Sequence, residues 1–168
     1  MSRPRTVRAF SAGGVLFRPI YPKQAVAQEQ APAVEAPPQA PAEVVLVGRA
    51  WEDFWVLPKG TPHHGEETPD VALREVAEET GVTGRIVDEL GSIRYWFSRH
   101  GTRFNKVVFY YLMEAAGGDV AQHDHEYDDA VWFPLPEALA HLTYPNEAEV
   151  LRAAAERIVV RLKDEAAE

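Results

Sequence analysis

Three carboxylates, Glu75, Glu78 and Glu79, stand within five consecutive residues. On a helical wheel turning about 100° per residue, Glu78 and Glu79 fall about 60° and 40° to either side of Glu75, so all three share one face. Like charges this close repel by about a few tenths of a kcal/mol per pair on an isolated helix, and a bound cation relieves that cost. Oxygen ligands select hard divalent ions, Mg²⁺ first and Mn²⁺ as the second candidate. For Glu78 and Glu79 taken alone, a solvated acidic face is the competing account. Cysteine is absent, which excludes thiolate ligands, disulfides and a Cys nucleophile.

The elements around these residues are readable from their punctuation. Thr68 can cap a helix, Pro69 suits its first position, Asp70 complements its dipole and Gly81 stops it, so a helix is expected over about Pro69 to Thr80. Leu73, Val76, Ala77 and Thr80 form its expected buried side, opposite the carboxylates. Ahead of it, Trp51 to Leu57 reads as a strand leading into the turn Pro58-Lys59-Gly60 and a polar loop. Thr6 to Arg18 and Glu43 to Val47 are expected to pair. Between them, Pro19 to Pro41 is Pro, Ala, Gln and Glu with almost no large apolar side chain, a composition that cannot offset its own ordering entropy. It reads as a flexible hairpin insertion at about 19–42 within one domain spanning 1–168, because Thr6 to Arg18 could not form a core alone. Downstream, Gly84 to Leu90, Ile93 to Phe97, Lys106 to Met113 and Ala130 to Phe133 read as strands, with Ser98 to Asn105 as a hairpin loop. Pro136 to Leu142 and Asn146 to Lys163 read as helices. The expected class is α/β, a mixed sheet flanked by helices.

The register around the carboxylates is specific. Gly60, Glu66, Arg74, Glu75, Val76, Glu78, Glu79, Gly81 and Val82 fix nine positions over 23 residues and satisfy the signature of the Nudix hydrolases, which the sequence closely resembles here. Ala12-Gly13-Gly14-Val15, Phe54 to Gly60 and Trp132-Phe133-Pro134 extend the resemblance over most of residues 6–143; the 19–42 segment has no counterpart in the usual pattern. The resemblance implies an α/β/α sandwich and a metal-dependent hydrolase that cuts a phosphoanhydride bond in a nucleotide-like substrate. It implies that Glu75 and Glu79 bind metal directly, that Glu78 is a further ligand or carries the base, and that Gly60 offers its carbonyl. Glu66 and Arg74 are then expected to form an ion pair bracing the loop rather than doing chemistry. Nudix proteins often place an extra glutamate after the motif, and Glu126 in the run Asp124 to Asp129 is the candidate, against a solvated acidic loop. His63, His64, His123 and His125 are read as ordinary exposed histidines.

The bond is better defined than the molecule carrying it. Pro58-Lys59-Gly60 resembles the version in diadenosine and diphosphoinositol polyphosphate hydrolases, where the lysine faces the phosphates. Arg94, Arg103, Lys106 and Tyr95, with Arg99, His100, Trp96 and Phe104, could supply cations for phosphates and rings for a base, unless alternation sends half of them to the other sheet face. The leading expectation is a dinucleoside (diadenosine) polyphosphate. The alternatives are oxidised nucleoside triphosphates, a diphosphoinositol polyphosphate, or a nucleotide sensor without catalysis, which the intact glutamates disfavour.

A chain of 168 residues with 46% hydrophobic residues suffices for one domain with a real core. Its net charge of −9 argues against a protein that wraps a nucleic-acid polymer and favours a small nucleotide ligand held by a few local cations. No apolar run suggests a membrane span or secretion signal, so a cytoplasmic protein is expected; monomer and homodimer both remain open.

Overall fold

The computed structural model describes residues 3–20 and 40–168. The chain runs β1 (Thr6–Pro19), β2 (Ala42–Arg49), a 3-10 turn, β3 (Phe54–Val56), β4 (Lys59–Gly60), α1 (Thr68–Thr80), β5 (Val82–Arg99), β6 (Thr102–Gly118), a second 3-10 turn, β7 (Asp129–Pro134), α2 (Leu135–His141) and α3 (Pro145–Ala166). One sheet takes the order β3-β2-β1-β6-β5, with β4 added beside β1 and β7 beside β2. β1 and β6 are parallel over Thr6↔Arg103 to Phe17↔Glu114, and the other pairings are antiparallel, so the sheet is mixed.

Alternation along the central strands builds two cores. Val15, Phe17, Val44, Leu46, Tyr110 and Leu112 pack beneath α2 and α3, whose Leu151, Ala154 and Ile158 face inward. Ala12, Leu16, Val45, Tyr111 and Met113 pack beneath Val71, Ala72 and Val76 of α1. The result is the expected α/β/α sandwich. Residues 21–39 of the segment expected as an insertion lie outside the described residues; on either side of them Phe17 pairs with Val44, Arg18 with Glu43 and Pro19 with Ala42.

The hairpin after α1 differs from expectation. The segments Gly84 to Leu90 and Ile93 to Phe97 are parts of one 18-residue strand, whose register shifts at Thr83/Gly84, Ile86/Asp88 and Glu89/Gly91. Gly91, at φ 82°, supplies the left-handed residue at the last of these bulges. The expected loop Ser98 to Asn105 shrinks to His100-Gly101, at φ 49° and 74°. Two left-handed residues turn a chain in the hand that matches strand twist, so the flanking polar residues stay in the ladder.

Candidate active site

Pro58 to Gly60, expected as a turn, instead lays Lys59 and Gly60 along β1, opposite Gly13 and Ala12. A Cβ on Gly13 would sit 2.1 Å from the Pro58 carbonyl oxygen, so only glycine lets the two segments meet. A Cβ on Gly60 would lie 2.0 Å from Cδ of Glu75, which places that carboxyl group directly against the Gly60 backbone. α1 begins at Thr68 with Glu67 in the capping position and no side-chain cap, so Thr68 does not cap. It ends at Gly81, φ 76°, whose N–H donates to the Ala77 carbonyl at 2.9 Å.

Glu75 and Glu79 are buried, at 8% and 1% exposure. Glu79 Oε2 accepts the Lys59 N–H at 3.1 Å, while its Oε1 is buried without a hydrogen-bond partner. Glu126 approaches from the loop after β6. That loop is tied to the end of α1, because Asp119 N–H donates to the Gly81 carbonyl at 3.1 Å and Asp124 N–H to the Glu78 carbonyl at 2.9 Å. Glu126 N–H in turn donates to Asp124 Oδ1 at 3.1 Å. Oxygens of Glu75, Glu79 and Glu126 lie within 4.8 Å of one another, and this is the one such group of three or more potential metal ligands among the described residues. The four histidines considered above do not join it.

Two parts of the wheel reading need correction. The carboxylate face is not opposite the buried face of α1, since Val71, Ala72, Glu75, Val76, Glu79 and Thr80 are the buried residues. Glu75 and Glu79 are embedded in the apolar stripe, which hydrophobicity alone cannot show. Glu78 leaves the cluster. It lies on the Arg74 side of Glu75, and its exposed carboxylate meets the Arg74 guanidinium at 3.3 Å. Four residues on a helix place these two side chains together, whereas Glu79 turns toward the sheet.

The Glu66–Arg74 brace is as expected. Arg74 Nε and a terminal nitrogen donate to the two Glu66 oxygens, each at 2.8 Å, and the guanidinium also reaches Glu75 at 2.8 Å and the Thr61 carbonyl at 3.0 Å. His63 N–H donates to Glu66 at 2.6 Å. Arg74, then the His63 N–H, hold the Glu66 carboxyl at about 2. The cluster behaves oppositely. Burial first, then the facing Glu126, push Glu79 up to about 9, and burial raises Glu75 despite Arg74. An all-carboxylate group with two buried members, one exposed at the rim, an orphaned oxygen and a glycine-lined approach suits a hard divalent cation, which would take the place of the proton.

Strand alternation divides the expected substrate cations. Tyr95 pairs across the hairpin with Lys106, on the sheet face that carries α3; Lys106 is half-buried, its ammonium lowered by burial and then by Lys59, and opposed by Glu126. Arg94 and Arg103 pair with Val107 and Ser98 and point to the opposite face, the one that carries α1.

A pocket of about 400 Å³ adjoins the cluster at Lys59. Phe54, Tyr95, Tyr127 and Tyr144 give it aromatic walls, and Asn146 and Glu147 add polar edges. Burial, then Glu79 and Glu126, raise the Tyr127 phenol well above its ordinary value. Glu147 is 2% exposed, its Oε1 accepts the Leu57 N–H at 2.7 Å, and burial lifts its carboxyl despite that bond. None of Tyr127, Tyr144, Asn146 and Glu147 was singled out from the sequence. A signal existed for one: Glu147 stands in the helical spacing of Leu151, Ala154 and Ile158, a carboxylate on an apolar stripe. A larger groove of about 590 Å³ between α3 and β5 lies elsewhere, away from the carboxylates.

The family model described as NUDIX domain matches residues 30–154. The 8-oxo-(d)GTP phosphatase of Mycolicibacterium smegmatis is 38% identical over 154 residues, covering 92% of this chain and 43% of that protein. The mutator protein MutT4 of Mycobacterium tuberculosis is 37% identical over 158 residues, covering 94% of this chain and 58% of that protein. The chain thus spans about half the length of these relatives. Among solved structures, a C. elegans Ap4A hydrolase superposes with TM-score 0.61 at 19% identity, covering 90% of this chain and 98% of that one. The MutT protein of Bacillus halodurans superposes with TM-score 0.61 at 16% identity, covering 86% and 80%. At these identities the structures share the fold.

Proposed function

Since the chain belongs to the Nudix family, we propose that it hydrolyses a phosphoanhydride bond of an oxidised purine nucleoside triphosphate, with the base in the aromatic pocket and the triphosphate at Glu75, Glu79 and Glu126. The observation that carries this reading is the junction at Lys59. Its backbone N–H holds Glu79, and the same residue lines the pocket, so a base seated among Phe54, Tyr127 and Tyr144 directs its phosphates toward the carboxylates. Two relatives named for a mutator protein and for an 8-oxo-(d)GTP phosphatase support the substrate class. Pro58-Lys59-Gly60 alone favoured a dinucleoside polyphosphate. One pocket walled for a single base beside the cluster moves the reading to the triphosphate.

Glu75, Glu79 and Glu126 would hold Mg²⁺ or Mn²⁺, together with the Gly60 carbonyl. Such an ion, when bound, neutralises phosphate charge and lowers the pKa of water. Glu126, exposed at the rim, is the group assigned to take the proton of the attacking water, and Glu78 holds Arg74 instead. Lys59 and Lys106 supply positive charge to the phosphates, and Glu66 and Arg74 fix the Gly60 loop against α1.

A panel of 8-oxo-dGTP, dGTP and diadenosine tetraphosphate with Mg²⁺, followed by product analysis, tests the reading. The expected order places 8-oxo-dGTP first, with turnover abolished in Glu79→Gln. A tenfold preference for the dinucleotide would refute the substrate class, and an active Glu79→Gln would refute the site.

A further inference from the structure

The sheet face that carries α1 continues beyond the helix, and there Arg8, Phe10, Arg94, Trp96, Arg103 and Phe109 are exposed. By register, Arg8, Asn105 and Trp96 lie side by side on β1, β6 and β5, and the next row is Phe10, Val107 and Arg94. Phe109 follows on β6, edge-to-face with Phe10 at 6.5 Å between ring centroids. Phe10, Trp96 and Phe109 are 41%, 49% and 37% exposed. The Arg103 guanidinium lies over the Trp96 ring, 4.3 Å from its centroid.

The combination of charge and rings sets this face apart. Arg18, Arg49, Arg74, Arg85, Arg157 and Arg161 each meet a carboxylate within 4.0 Å. Arg8, Arg94 and Arg103 meet none among the described residues, and neither do Arg5, Arg99 and Arg152, but only the first three share a face with Phe10, Trp96 and Phe109, in a chain with net charge −9. Three unneutralised guanidinium groups interleaved with three exposed rings on an open sheet are the elements by which sheets bind single-stranded nucleic acid: bases stack on rings, and phosphates pair with arginines. A peptide of acidic residues without aromatic side chains would satisfy the arginines but would leave the rings without stacking partners. The net charge excludes an extensive wrap, and it does not weaken a local patch of this size.

We propose that this uncovered face of β1, β6 and β5 binds a short single-stranded nucleic acid, with bases on Phe10, Trp96 and Phe109 and phosphates on Arg8, Arg94 and Arg103, independently of the nucleotide pocket on the other side of the sheet.

Fluorescence anisotropy with labelled 12-mers, rU₁₂ and dT₁₂, in EDTA and 50 mM salt tests it. Saturable binding of at least one is expected. Three phosphate contacts give a log–log salt slope of about −2, so affinity should fall by roughly 15-fold between 50 and 200 mM salt. Trp96→Ala should weaken binding at least fivefold, and Arg8→Glu/Arg94→Glu at least tenfold, with thermal melts confirming that both remain folded. The charge-matched Arg152→Glu/Lys163→Glu on α3 should leave affinity within twofold. The proposal is overturned by no saturation with either strand, by equal loss in the α3 variant, by displacement with excess dGTP, or by polyglutamate binding as tightly as the strands.

Discussion

Gly60→Ala isolates the geometry of the site in one methyl group. The backbone at Gly60 is ordinary strand, so alanine meets no conformational barrier, and the perturbation is steric alone. Its Cβ would lie 2.0, 2.2 and 2.4 Å from Cδ and the two oxygens of Glu75. Ordinary contact begins near 3.4 Å, so the carboxyl group must retreat by more than 1 Å. That removes Glu75 from a cluster whose oxygens lie within 4.8 Å. Because the clashing atoms are the far end of a flexible side chain, the cost falls at the low end of overpacking, about 1 kcal/mol, equivalent to roughly 2–4 °C in melting temperature for a domain of this size. A misplacement of about 1 Å can cost about a hundredfold in turnover. Circular-dichroism melts and initial-rate hydrolysis of 8-oxo-dGTP should therefore show a modest stability loss with a disproportionate activity loss. Adding Glu75→Asp, which shortens the clashing side chain, should recover stability but not activity, a non-additivity expected of groups in contact. A Gly60→Ala enzyme within twofold of wild-type turnover would refute the placement of Glu75.

Three further outcomes follow from the electrostatics. In metal-free protein, Glu79 is raised to about 9 by burial and by Glu126, so it costs stability as pH rises from 4.5 toward 9 and nothing below that window. At about 1.4 kcal/mol per pH unit the cost reaches roughly 3 kcal/mol at pH 7, and urea denaturation should find that Glu79→Gln gains stability over wild type with that slope; parallel pH profiles would contradict it. Glu66 is lowered to about 2, mainly by Arg74, so its contribution is present above 4.5 and lost as pH falls toward 2; Arg74→Ala should remove most of that acid-side dependence, leaving the part owed to the His63 N–H, and Arg74→Lys, lacking the planar fork, should not restore it. Glu147→Ala strands the buried Leu57 N–H and should cost about 1–3 kcal/mol in thermal unfolding, whereas Glu147→Gln, which keeps an acceptor, should cost under about 1 kcal/mol.

Local signals carried the fold and part of the site. Pro69 and Gly81 bounded α1 because their backbone constraints act regardless of tertiary context, and Leu151, Ala154 and Ile158 marked α3 because helical spacing of apolar residues is itself a local pattern. Glu75 and Glu79 were identifiable by spacing, but their burial was not, since it depends on β1 and β4 closing over the helix. Glu78 shares their local pattern and differs only through Arg74. The hairpin misled in two ways. Polar residues from Ser98 to Asn105 looked like a loop although the ladder persists through them, and alternation sent Arg94 and Arg103 to the face away from Lys106. Tyr127, Tyr144 and Asn146 became visible only when four separate segments met at one pocket.

Isothermal titration of Mn²⁺ into metal-free wild type and Glu79→Gln at pH 7.5 tests the central claim most directly, because it reads the carboxylate site without any assumption about substrate. A saturable site in wild type, accompanied by proton release and weakened at least tenfold in the variant, is the result the account requires. Equal affinity in the two proteins would contradict it.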